Sequence, residues 1–142
     1  MKILLDTHCW LWWITTPEKL APKAQQLIMD GHNELFFSAA SSWEIAIKYA
    51  LGKLPLAEDP ETFIPPRLMR DAIMPLPITH IHALHVASLP LHHRDPFDRI
   101  LISQAQLEHL PIMTVDRQFA VYKVDLIWGG MNELSITQVQ RV

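Results

Sequence analysis

Ile3-Leu4-Leu5-Asp6-Thr7-His8-Cys9-Trp10-Leu11-Trp12-Trp13-Ile14 is the stretch on which the fold turns. Its first three residues make an apolar run of strand length, one acid closes the run, and the apolar residues beyond follow helical spacing. A fully apolar strand passing at once into a helix is the start of a βα unit, and the same alternation continues along the chain. The first helix, 9–14, stops before Thr15-Thr16-Pro17, and a second, 20–29, is closed by Asp30-Gly31. Residues 35–37 read as the next strand, Ser41-Ser42 as the cap of an amphipathic helix over 43–51, and Gly52 as its stop.

The middle of the chain is broken by Pro55, Pro60, Pro65, Pro66, Pro75 and Pro77, which leaves a short helix at 61–70 and a brief strand at 73–74. Thr79 caps a helix over 80–88. Asp95-Pro96 opens another over 97–108, and strands follow at 112–115 and 124–128. The pattern predicts an α/β fold, an open parallel β-sheet flanked by helices in three layers, α/β/α. Residues 1–130 form the one domain, and 131–142 read as a C-terminal tail.

A chain of 142 residues supports one core of ordinary size, and its 49% apolar content excludes a disordered protein. No apolar run reaches the roughly 18 residues a membrane helix requires, and the N-terminal residues show no signal-peptide core, so a cytoplasmic protein with no membrane partner is expected. The single cysteine, Cys9, excludes an internal disulfide and a thiolate zinc cluster and reads as a small buried hydrophobe. A net charge of −3 excludes bulk electrostatic attraction to nucleic acid. Any such contact is local, through Lys48, Lys53, Arg94, Arg99, Arg117 or Lys123, several of which lie beside the acids considered next.

Ligands of open parallel sheets bind beyond the carboxyl ends of the strands. Asp6 ends the first strand, Glu44 begins the helix after the second, Asp95 and Asp98 open the helix before the fourth, and Asp116 ends the fourth. Taken singly, several are explained by capping: Ser41-x-x-Glu44 as a capping box, Asp95-Pro96-Phe97-Asp98 as a cap, a first-turn proline and an acid favoured by the helix dipole. Asp6 has no such explanation. Carboxylates gathered in one place repel one another unless a cation neutralises them, and oxygen-only ligation suits Mg²⁺ or Mn²⁺ better than zinc. Such ions commonly act on phosphate esters.

At Leu4-Leu5-Asp6-Thr7-His8, Ser38-Ala39-Ala40-Ser41-Ser42-Trp43-Glu44-Ile45-Ala46-Ile47-Lys48, Gly52-Lys53-Leu54, His93-Arg94-Asp95-Pro96-Phe97-Asp98-Arg99-Ile100-Leu101-Ile102 and Thr114-Val115-Asp116 the chain resembles the PIN domains, and among them the VapC-like toxins. The resemblance implies a PIN-domain fold and a ribonuclease that hydrolyses RNA phosphodiester bonds with Mg²⁺ or Mn²⁺, paired with a small cognate antitoxin. By position, Asp6, Glu44, Asp98 and Asp116 match the family's acidic quartet as catalytic and metal-binding residues. Asp95 matches a cap, an outer ligand or both, and Thr114 a hydroxyl that supports the last acid. Lys48 and Arg99 are the expected substrate contacts.

Other readings compete. His82 and His85, spaced i, i+3 and followed by His92-His93, invite zinc, but no cysteine or HExxH pattern completes a ligand set. Trp10, Trp12, Trp13, Trp43 and Trp128 offer a stacking platform for single-stranded RNA, although core and interface packing is the expected use. Adjacent tryptophans cannot face one core, which favours a homodimer or an antitoxin contact. An aspartyl-phosphate enzyme of the haloacid-dehalogenase type expects a second acid where His8 stands. A PIN-like binding module without catalysis would lack an acid, and none is missing; a housekeeping PIN nuclease without a toxin role remains as the alternative.

Overall fold

The computed structural model describes residues 1–92 and 94–131. The chain runs β1 (Lys2–Leu5), α1 (Thr7–Thr15), α2 (Pro22–Met29), β2 (Glu34–Ser38), α3 (Ala39–Ala50), α4 (Pro60–Arg70), β3 (Ile73–Leu76), α5 (His80–His85), α6 (Pro96–Glu108), β4 (Ile112–Thr114) and β5 (Leu126–Trp128). Short 3-10 turns stand at Pro17–Lys19, Val86–Ser88 and Arg117–Val121. Among the described residues the five strands are all parallel, in the order β3-β2-β1-β4-β5. The expected three-layer arrangement is the one found.

Side chains alternate across the sheet. Ile3, Leu5, Leu35, Phe37, Met113 and Ile127 pack on one side with α1, α2, α4 and Ile45 of α3. Leu4, Ile112 and Leu126 pack on the other with Leu101, Ile102 and Ala105 of α6 and with Phe119. Both faces are therefore apolar, which explains why the strands read as unbroken hydrophobic runs. Each fully buried aliphatic side chain stabilises the fold by about 1.5–3 kcal/mol, so the strands are clamped from both sides.

Local boundaries differ from the sequence reading in instructive ways. The first helix begins at Thr7, two residues before the expected start, because Asp6 already has the extended conformation of a cap residue. The third begins at Ala39, capped by Ser38, whose hydroxyl accepts from the Ala40 amide at 3.0 Å. Ser41 is therefore not the cap, and the Ser41-x-x-Glu44 capping box is corrected: Ser41 is buried inside α3, where its hydroxyl accepts from Thr7 Oγ1 at 2.7 Å. Gly52 ends α3 as expected, with φ +72°, and the amides of Gly52 and Lys53 bond back to Tyr49 and Lys48 carbonyls. Pro65 and Pro66 sit inside α4 on its exposed side, where carbonyls left without amide partners reach water. Pro75 lies within the edge strand β3, opposite Phe37.

Among the described residues no helix is long and apolar enough to cross a membrane. Residues 132–142, nearly all of the expected C-terminal tail, lie outside the described residues, as does His93.

Candidate functional site

From β1 the chain moves outward through β2 to β3, then crosses back to β4 and β5, so the winding reverses between β1 and β4. At such a reversal the loops beyond the two strands diverge and leave a crevice. Asp6 follows β1 and Asp116 lies just beyond β4 on its two sides. The first turn of α6 brings Asp98 and the second turn of α3 brings Glu44.

Thr114 ties the two strand-end acids together. Its hydroxyl donates to Asp6 Oδ2 at 2.8 Å and accepts from the Asp116 amide at 3.0 Å. Asp6 is buried at the start of α1, where its carboxylate takes the Thr114 hydroxyl. Burial raises its pKa from 3.8 to about 6, against the lowering effect of the Thr114 bond, His8 and the Thr7 amide; Glu44 pushes it further up. Asp98 is raised more, to about 8, first by burial and then by the charges of Asp6, Asp95, Glu44 and Asp116. The other four sequence-predicted acids thus all bear electrostatically on Asp98.

Their secondary duties differ. Asp95 caps α6, accepting from the amides of Phe97 at 2.8 Å and Asp98 at 3.1 Å. Asp116 accepts from the Gln118 amide at 2.9 Å. Glu44 is buried and receives Lys48 Nζ at 2.6 Å, one helical turn on. Lys48 is raised above its usual pKa by that bond, with Asp95 and Asp98 adding to it. Lys48 therefore stands at the acids as expected, while among the described residues no three Asp, Glu, His or Cys side chains are drawn tightly enough to enclose a cation as they stand.

Arg99, the other expected substrate contact, is engaged by the protein's own carbonyls. It is buried, and its guanidinium donates to the carbonyls of Pro90 at 2.8 Å, Val86 at 3.1 Å and Leu89 at 3.3 Å and to the Tyr122 hydroxyl at 3.4 Å. It fastens the 86–90 segment to α6. The histidines are likewise engaged: His82 Nδ1 accepts from the Thr79 amide at 3.0 Å in a capping box, and His85 Nε2 meets Gln106 Oε1 at 2.7 Å. The zinc reading has no support from them. Cys9 is buried, and burial, helped by Asp6, pushes its thiol well above the usual 9.0, so it remains an inert thiol.

One feature escapes the sequence. The Thr7–Ser41 hydroxyl pair joins the two βα junctions that carry Asp6 and Glu44, and nothing in either local pattern marks it. Lys53 joins Lys48, Glu44, Thr7 and His8 around a cavity of about 160 Å³ beside the acids. The turn at Gly52 carries Lys53 there, one of the cations that the sequence offers for a local contact with nucleic acid.

Comparisons with known proteins agree with this architecture. One chain of the VapBC2 complex from Rickettsia felis, bound to a DNA fragment from its promoter, superposes with a TM-score of 0.68 at 16% identity, covering 91% of this chain and 99% of that one. A chain of the FitAB complex bound to the IR36 DNA fragment gives a TM-score of 0.58 at 19% identity, covering 88% and 93%. Ribonuclease VapC16 of Mycobacterium tuberculosis is 41% identical over 63 residues, a match that spans 44% of this chain and 45% of that relative's length. The PIN domain family model matches residues 3–124, most of the chain and all of the acids named above: this protein belongs to the PIN domain family.

Proposed function

We propose that the protein is a metal-dependent endoribonuclease that hydrolyses RNA phosphodiester bonds and serves as the toxin of a VapBC-type toxin–antitoxin pair. The observation that carries this reading is the meeting of acids at the sheet's reversal: Thr114 ties Asp6 to the backbone of Asp116, and the first turn of α6 and the second turn of α3 bring Asp98 and Glu44 to the same end of the sheet. Such a cluster is poised to exchange protons for a divalent cation. The partial likeness to a ribonuclease, and the likeness in fold to chains of two toxin–antitoxin complexes, point the same way.

The donor set fits Mg²⁺ or Mn²⁺: carboxylate oxygens without a thiolate, carrying more negative charge than Lys48 offsets. Asp6, Glu44, Asp98 and Asp116 would hold the ion, with Asp95 in support. When bound, it would polarise a phosphoryl oxygen and lower the pKa of a water. The chain's own residues prepare the place: Thr114 orients Asp6, and Lys48 balances Glu44. A nuclease assay with Mg²⁺, with EDTA and with Asp6→Asn tests the reading; metal-dependent cleavage lost in the variant is expected, and cleavage indifferent to both would end it.

In this reading a small cognate antitoxin masks the site, an arginine from it pairing with the acids by charge-assisted hydrogen bonds. The homodimer expected from the tryptophans belongs to the same proposal and is read by light scattering. Expression alone is expected to arrest a bacterial host, and co-expression of the partner to relieve the arrest. A harmless protein at high expression would leave a housekeeping nuclease.

A further inference from the structure

The donors that meet the acids are of two kinds. Some are neutral: the Thr114 hydroxyl serves Asp6, the amides of Phe97 and Asp98 serve Asp95, and the amide of Gln118 serves Asp116. Lys48 instead brings a full positive charge, its Nζ standing 2.6 Å from Oε2 of the buried Glu44. That charge is felt beyond Glu44, since Asp95 and Asp98 also help Lys48 to keep its proton. The main chain holds the lysine where it is. Glu44 precedes Lys48 by one turn of α3, the favoured order for such a pair, and beyond the helix the Lys53 amide bonds to the Lys48 carbonyl at 2.9 Å through the turn at Gly52. Lys53 thereby borders the same cavity as Glu44 and Lys48, so two ammonium groups flank the acids on this side.

A hard divalent ion lies about 2.0–2.6 Å from a carboxylate oxygen, and two ions acting on one phosphodiester stand about 3.5–4 Å apart. The Lys48 ammonium fills the place at Glu44 Oε2 that one of such a pair would take, and it repels an ion that approaches there. Neutral donors do neither. A hydroxyl on Asp6 or an amide on Asp116 leaves the charge of the carboxylate for a cation, and Asp6 and Asp98 are the acids most burdened by burial and by like charge. Positive charge is therefore built in at one corner of the cluster and has to be recruited for the rest.

We infer that Lys48 is a positioning residue that stands in for a second metal ion, so that the acids take a single divalent cation and the Lys48 ammonium keeps the Glu44 corner. This rests on the metal-dependent ribonuclease reading and gives the number of ions it uses. In a two-ion site one ion serves the attacking oxygen and the other the leaving oxygen. A lysine fixed by its own helix supplies one of these charges at any Mg²⁺ concentration.

Manganese titrated into the metal-free protein, followed by calorimetry and by the paramagnetic resonance of Mn²⁺, counts the ions without substrate. Wild type is expected to take one ion per chain and to show the spectrum of an isolated ion. Lys48→Met, which keeps the aliphatic stem and removes the charge, is expected to admit a second ion magnetically coupled to the first, and Lys48→Arg, which keeps the charge, to stay at one. The Lys48 side chain is 43% exposed, and Lys48→Gln replaces the methionine variant should that one fold poorly. In cleavage assays the Hill coefficient for Mg²⁺ is expected to rise from about 1 in wild type to about 2 in the uncharged variants. Two ions in the wild type would overturn the inference and leave the nuclease standing. A single ion bound alike by wild type and the uncharged variants would also overturn it, reducing Lys48 to an ordinary helical ion pair. The expected counts without cleavage of any RNA would keep the role of Lys48 and remove the ribonuclease, and no ion in either protein would remove both.

Discussion

Thr114 and Asp6, separated by 108 positions in the chain, are joined by a buried hydrogen bond of 2.8 Å from the hydroxyl to the carboxylate. The same hydroxyl receives the Asp116 amide, so one side chain fixes both strand-end acids. Thr114→Val keeps the shape and removes the hydroxyl. Metal affinity or cleavage is expected to fall about 10–100-fold, as for other groups that orient ligands, with Thr114→Ser restoring most of it. Equal activity of the valine and wild-type proteins would show that Asp6 needs no orientation.

Asp6→Asn and Asp98→Asn are each expected to abolish Mg²⁺-dependent cleavage while the fold survives. Neutralising either acid removes repulsion from the others and should leave the melting temperature unchanged or higher. Cleavage and thermal unfolding measured on the same preparations decide the matter. Retained cleavage, or collapse of both variants, would argue against the assigned roles.

The raised carboxyls predict a stability profile for the metal-free protein. Asp98 holds its proton more tightly when folded than when unfolded, so its contribution is fully present below its ordinary 3.8 and is lost as pH rises through about 8. Asp6 adds the same trend between 3.8 and about 6. Denaturant titrations across this range should show the slope flattened in Asp98→Asn, and Mg²⁺ should restore stability most at the alkaline end. An unchanged slope in the variant would place its cause elsewhere.

Arg99→Ala withdraws a guanidinium from the carbonyls of Val86, Leu89 and Pro90. Unfolding free energy is expected to drop by about 2 kcal/mol or more, since buried carbonyls lose charge-assisted partners. Arg99→Lys cannot reproduce the fork and should recover little of the loss. If stability holds in chemical denaturation and KM for RNA rises instead, the substrate contact expected from sequence would be reinstated.

The strand–acid–helix passage around Asp6 is legible because its periodicity switches at a single residue, and the acids are legible because strand ends are. The start of α3 is not, since Ser38, Ser41 and Ser42 are equally good caps by type and only the Thr7 contact distinguishes them. Arg99 looked like a substrate contact from its place beside Asp98. Its true partners come from the 86–90 segment and Tyr122, brought up by packing that no local pattern records. Pro65 and Pro66 fit in α4 because that side faces water, a fact of tertiary structure.

Pro75 has a consequence for how copies of this protein meet. A sheet grows by accepting a new strand at its rim, where amides and carbonyls still lack partners. On the β3 rim the proline supplies no amide, and at the other rim β5 is three residues long. Among the described residues neither rim presents a long strand with a full row of amides, so strand addition is disfavoured at both and self-association is directed to the helical surfaces.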